Sequence, residues 1–99
     1  MWYSIICKDK EDSLRLRLET RESHLKRIDL LNKEGRILIA GPNPAIDSEE
    51  PGQAGFTGSI IIAKFNSIEA AKKWAEEDPY MVAGVFSSIE VMPFKKVFP

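Results

Sequence analysis

The chain has 99 residues, 43% of them apolar and 29% charged, with 14 basic against 15 acidic side chains. This is one domain's length of chain with enough apolar content for a core, and its balanced charge gives no electrostatic basis for binding nucleic acid or an anionic membrane. Cys7 is the only cysteine and His24 the only histidine, so there is no intrachain disulfide, no ligand set for a structural metal, and a fit to a reducing compartment.

The first segment, Met1 to Cys7, carries no basic leader and no cleavage site, and its apolar run stops at Lys8, far short of a membrane span. The chain is therefore expected to be complete, soluble and cytoplasmic. Trp2 to Lys8 is rich in aromatic and β-branched residues and predicts a first strand, turning at the charged run that ends at Asp12. Ser13 to Lys33 predicts helix, because Leu14, Leu18, Leu25, Ile28 and Leu31 recur at the spacing of one helical face. Thr20, Glu22 and Ser23 are cap-like, so this stretch is either one helix or a short one followed by a longer one from about Arg21. Gly35 stops it.

Arg36 to Ala40 predicts a second strand, closed by Gly41-Pro42. The Pro-, Gly-, Asp- and Ser-rich stretch from Asn43 to Thr57 is a long loop, expected to border a pocket and to be mobile. Gly58 to Phe65 predicts a third strand whose unbroken run Ile60-Ile61-Ile62-Ala63 needs cover on both faces. Asn66-Ser67 caps a second helix with Ile68, Ala71, Trp74 and Ala75 on its apolar face. That helix is expected to end before Asp78-Pro79. After a turn through Met81 to Gly84, Val85 to Met92 predicts a fourth strand, and Phe94 to Phe98 a strand-like tail.

The order β-α-β-β-α-β predicts an α+β, ferredoxin-like split βαβ fold: a four-stranded antiparallel sheet with two helices on one face, in a single domain spanning residues 1–99. Three successive isoleucines cannot all face two helices. A second copy of the chain covering the open face, with the tail strapped onto it, is the economical solution, and a homodimer is expected. The plainer reading is a generous strand core.

His24 lies within about 40° of Ile28 and Leu31 around the helix axis, so a titratable ring points at the core. Such a ring is either a satisfied structural residue or an acid–base group. Cys7 sits in a predicted buried strand with no base beside it, which argues against nucleophilic catalysis. The basic-aromatic motif of RNA-binding domains of this topology is absent from strands one and three.

Three segments are more specific. They are Arg21-Glu22-Ser23-His24-Leu25; Gly41-Pro42-Asn43-Pro44-Ala45 leading to Gly55-Phe56-Thr57-Gly58-Ser59; and Asp78-Pro79-Tyr80 with Ala83-Gly84-Val85 and Lys95-Lys96-Val97-Phe98. In their joint order and spacing they resemble the YciI-like family of small bacterial proteins over nearly the whole chain. The resemblance implies a dimeric α/β barrel of ferredoxin-like subunits, similar in architecture to muconolactone isomerases and small cofactor-free oxygenases. It also implies a histidine–aspartate pair in a pocket, matching His24 and Asp78, and no cofactor. One related protein is a dehydrochlorinase of a chlorinated hydroxyhydroquinone, which implies acid–base chemistry on small organic substrates, aromatic ones among them.

The pairing makes chemical sense, since a carboxylate on one imidazole nitrogen fixes the tautomer and leaves the other nitrogen to move a proton. Asp78 alone also reads as an ordinary turn residue before proline. Around the pair, Arg21, Ser23, Gly41, Pro42, Gly55 and Tyr80 are candidate substrate-binding residues. Each has a plain alternative in a surface, turn or packing role. The expected function is a small cofactor-independent acid–base enzyme of lyase or isomerase type, and the alternative is a non-catalytic ligand-binding or interaction module of the same fold. Small-molecule binding and self-association are expected, with no nucleic-acid or membrane partner.

Overall fold

The computed structural model describes residues 1–99. Its elements are β1 (Trp2–Asp9), α1 (Leu14–Lys33), β2 (Ile37–Pro44), a 3-10 turn (Gly52–Ala54), β3 (Phe56–Lys64), α2 (Ile68–Glu76), a short α3 (Pro79–Val82) and β4 (Phe86–Phe94). The strands make one antiparallel sheet in the order β2-β3-β1-β4, which is the ferredoxin-like α+β topology expected.

Strand alternation divides the sheet into two unlike faces. Tyr3, Ile5 and Cys7 of β1 stand opposite Ala63, Ile61 and Ser59 of β3, and all six are buried beneath the helices. Leu31, Ala71, Ala75 and Tyr80 complete that core from the helical side, with Val85 and Phe86 beside them. Full burial of a residue such as Ile5 or Ile61 contributes about 1.5–3 kcal/mol. The other face carries Trp2, Ile6, Ile60 and Ile62, with Ile39 and Met92 beside them. No helix covers this face, and Ile39 remains 56% exposed and Met92 42%.

Several elements differ from the sequence expectation. The stretch Leu14–Lys33 is one continuous helix, so Thr20, Glu22 and Ser23 do not divide it. Its buried line is Arg17, His24 and Leu31, spaced by seven residues and hence within about 20° of one another per step. Leu18 and Leu25 are exposed. The apolar stripe misplaces the inward face because Arg17 is a charged residue that its partners allow to be buried. Gly41-Pro42 does not close β2, which runs on to Pro44. As an edge strand, β2 tolerates prolines that lack an N–H.

The loop accordingly shrinks to residues 45–55, pinched at its base where the Ala45 N–H donates to the Gly55 carbonyl at 2.9 Å. Asp78-Pro79 ends α2 but also starts α3, with Asp78 as its cap and Pro79 in the first turn. Phe94 belongs to β4, and residues 95–99 form no strand.

Candidate active site

Helix α1 crosses the sheet with Arg17, Arg21 and His24 on the side facing β2 and β3. From beyond α2, α3 brings up Asp78 and Tyr80. Between them lies a cavity of about 200 Å³, lined by these two arginines, His24 and Tyr80, by Gly41 and Pro42 of β2, and by Ser59 of β3. A larger shallow groove of about 900 Å³ adjoins it along the outer side of α1. That groove contains neither member of the dyad, so the smaller cavity is the chemically equipped one.

The local sequence explains why Asp78 is held so firmly. As the cap of α3, its Oδ1 accepts the Tyr80 N–H at 2.8 Å. The same carboxylate meets His24 Nδ1 through both oxygens, at 2.8 Å and 2.9 Å. His24 is 6% exposed and Asp78 1%. An ionised carboxylate can only accept, so Nδ1 carries the proton, and in a neutral ring Nε2 is then the bare, basic nitrogen. No buried side-chain nitrogen or oxygen in the protein lacks a hydrogen-bond partner. Nε2 has no partner within the chain, so it reaches the open cavity.

Tyr80 stacks on the imidazole, with ring centroids 3.9 Å apart at 15°. Phe86 meets both rings edge-on. These contacts fix the imidazole plane, which an effective base requires. Burial pushes the Tyr80 hydroxyl above its ordinary range, against the opposing charges of Arg17 and Arg21, so the phenol stays protonated at neutral pH. Burial, with the nearby Asp78 and Asp9 carboxylates, pushes the Cys7 thiol up to about 12 despite the opposing Arg17 charge. This thiol is inert as a nucleophile near neutrality.

The cavity thus brings together six of the eight residues singled out from sequence: His24 and Asp78 as a bonded pair, with Arg21, Gly41, Pro42 and Tyr80 around it. Two lie elsewhere. Ser23 is exposed on α1, about 100° around the helix from His24. Gly55 lines a separate cleft near the β1–α1 turn, and its positive φ of 71° suits the turn it occupies. The long loop does not border the pocket through residues 45–55; its place is taken by Gly41 and Pro42, which belong to β2.

Arg17 escaped the sequence reading. It is 4% exposed and forms a two-pronged ion pair with Asp9 at 2.9 Å on each prong. Its guanidinium lies 4.7 Å from the centre of the Tyr80 ring. The available signal was its position seven residues before His24, on the same helical line.

No group of three or more histidine, cysteine, aspartate or glutamate side chains is placed to hold a metal ion, and no helix is long and apolar enough to cross a membrane.

Comparison with known proteins agrees with this architecture. The profile of the YCII-related domain matches residues 1–95. The chain is 58% identical to Protein YciI of Escherichia coli O6:H1 over 98 residues, covering 99% of this chain and all of that one. It is 30% identical to Fusaric acid biosynthesis protein 2 of Gibberella fujikuroi, covering 94% and 91% of the two chains. Among solved structures, it is similar to the 5-chloro-2-hydroxyhydroquinone dehydrochlorinase of Burkholderia phenoliruptrix AC1100 in complex with 2,5-dihydroxybenzoquinone. That similarity has a TM-score of 0.84 and 27% identity, over 96% of this chain and 94% of the other. Taken together with the fold, the full-length match places this protein in the YCII-related family.

Proposed function

We propose that the protein is a small acid–base enzyme that moves a proton on a small organic substrate, with His24 Nε2 as the base and Asp78 as the group that fixes its tautomer. The observation that carries this reading is the pairing of a doubly held Nδ1 with an Nε2 open to the cavity. A positioned general base contributes on the order of 10²–10⁴ in rate using the chain's own residues. The likeness to a dehydrochlorinase supports elimination as the reaction class. The cavity volume of about 200 Å³ suits one ring with small substituents, since a cavity of roughly 150 Å³ accommodates benzene.

The experiment is a thermal-stability screen of the purified protein against single-ring hydroxylated and carboxylated aromatics, with 2,5-dihydroxybenzoquinone included. A ligand at 100 times its dissociation constant stabilises the fold by about 2.7 kcal/mol. At least one aromatic should raise the melting temperature, and His24→Gln should diminish the effect. A panel without effect contradicts the reading. Binding without turnover returns the protein to the role of a ligand-binding module.

The working unit in this proposal is a cytoplasmic homodimer joined through the open face of the sheet, where Ile39, Ile60 and Met92 would leave water. Light scattering at micromolar concentration tests this. A strictly monomeric mass, or a dimer joined only through its helices, overturns the sheet-face arrangement.

A further inference from the structure

The donors of Arg17 can be counted. A guanidinium has five N–H bonds. The Nε–H donates to Asp9 Oδ2 at 2.9 Å. Nη2 is shared among Asp9 Oδ1 at 2.9 Å, the Gly58 carbonyl at 3.1 Å and Ser59 Oγ at 2.9 Å. Nη1 has no acceptor in the chain beyond the neighbouring Tyr80 hydroxyl, which leaves it a second N–H. The cavity that Arg17 lines is the one containing His24. The Tyr80 hydroxyl is within hydrogen-bonding reach of Arg17; as it accepts from the guanidinium, its own O–H remains to donate into that space. The side chain that carries Nη1 is itself almost wholly buried.

The arrangement along α1 is equally specific. Arg17 and His24 are separated by about 10.5 Å of helix rise. The Tyr80 ring lies 4.7 Å from the Arg17 Cζ and 3.9 Å from the His24 ring centre, so it fills the gap between them. Arg17 and Tyr80, in hydrogen-bonding reach of each other and each with a hydrogen left to donate, therefore share one small cavity with the bare nitrogen of His24.

We propose that Arg17 Nη1 and the Tyr80 hydroxyl form an oxyanion site facing His24, which binds a single enolate- or phenolate-type oxygen of a single-ring ligand. This deepens the acid–base reading and rests on it for its catalytic meaning. The donor geometry selects the oxygen. The fork of Arg17 that would grip a carboxylate through two oxygens is already occupied by Asp9, so only one nitrogen is free, and it suits a lone oxygen. Arg21, exposed at the mouth, adds a second positive charge. The raised Tyr80 ionisation keeps its hydroxyl a donor.

In the reaction, Nε2 takes a proton from a carbon next to a carbonyl. The C–H pair becomes a C=C bond, and the carbonyl π pair moves onto oxygen. Arg17 and Tyr80 hold that new negative charge, and the proton on His24 is available to return elsewhere on the substrate. Atoms and electrons balance without an oxidant or reductant. Donors already aimed at the developing charge need no reorganisation during the step.

The probe is 4-nitrophenol, a single-ring phenol whose colour reports its ionisation. Bound to the wild-type protein, it should ionise at lower pH than when free. Tyr80→Phe, which keeps the stacked ring, should weaken phenolate binding by about tenfold, the scale of one hydrogen bond to a charged group. Arg17→Gln should reduce the phenolate preference further. Should that variant fail to fold with Asp9 left unpaired, the double variant Asp9→Asn/Arg17→Gln takes its place. Equal affinity for phenol and phenolate, a preference unchanged in the variants, or no binding at all overturns the assignment. His24→Gln should retain the phenolate preference, so the oxyanion site and the base fail separately.

Discussion

Replacing Asp78 with Asn is the most revealing perturbation, because the geometry dictates where the amide must point. Oδ1 accepts from both the Tyr80 N–H and His24 Nδ1, each at 2.8 Å, while Oδ2 meets Nδ1 alone at 2.9 Å. The asparagine keeps its oxygen at the Oδ1 position, where it still caps α3. Its NH2 group then faces Nδ1. The retained oxygen is already engaged by the Tyr80 N–H, and the NH2 at the Oδ2 position repels a proton on Nδ1, so the imidazole is expected to shift its proton to Nε2 and accept from the amide, giving up its bond to Oδ1. One hydrogen bond between the two side chains survives, but a charge-assisted bond becomes a neutral one, costing about 1–2 kcal/mol. For a domain of this size that is a fall of roughly 4–16 °C in melting temperature, within a typical stability of about 5–15 kcal/mol. The functional cost is larger, because the cavity-facing nitrogen is now a donor. In the serine-protease triad, the equivalent exchange costs about 10⁴ in turnover through the wrong tautomer. Long-range proton–nitrogen NMR of a labelled sample reads the tautomer directly, and the single histidine removes any assignment problem. A folded Asp78→Asn protein that keeps the wild-type Nδ1–H pattern refutes the reasoning.

Three further outcomes follow from the packing. With the Cys7 thiol held up to about 12 and an ordinary value near 8.5 in the unfolded chain, only the unfolded state loses this proton at intermediate alkaline pH. Stability should therefore fall by about 1.4 kcal/mol per pH unit across that window, and Cys7→Ala should flatten the alkaline limb of a pH series of urea melts; an unchanged limb removes the attribution. A Cβ on Gly58 would lie 2.0 Å from the Cys7 carbonyl oxygen, so Gly58→Ala must part β1 from β3 and should cost about 1–3 kcal/mol in denaturant unfolding; a variant as stable as wild type contradicts that close approach. Hydrogen exchange should leave the available amides of residues 46–50, which are exposed, unprotected relative to β3, and equal protection in both regions counts against the mobility of this loop.

The parts legible in the sequence are those governed by local pattern. The succession of strands and helices along the chain, the capped start of α2 and the inward direction of His24 follow from alternation, a serine cap and helical spacing. The burial of Arg17 was hidden because nothing local distinguishes it from the neighbouring exposed Arg15. It depends on Asp9, Gly58 and Ser59 arriving from two other strands. Leu18 and Leu25 misled for the same reason, since periodicity locates an apolar face but a satisfied charge can rotate the helix away from it. Asp78-Pro79 carried both a stop and a start signal, and only the tertiary contact with His24 shows why the aspartate is held so tightly. Ser23 sits beside His24 in the chain and Gly55 allows close backbone approach, but neither signal determines which side of the fold a residue faces.

The central claim is that His24 Nε2 acts as a base toward a ligand in the cavity beside Tyr80. Its most direct test is solvent-deuterium incorporation into a bound single-ring ligand, followed by NMR in heavy water. Wild-type protein should accelerate exchange at a carbon adjacent to the ligand's oxygen, by on the order of 10²–10⁴ over His24→Gln at equal ligand occupancy. Equal exchange rates for the two folded proteins would contradict the account.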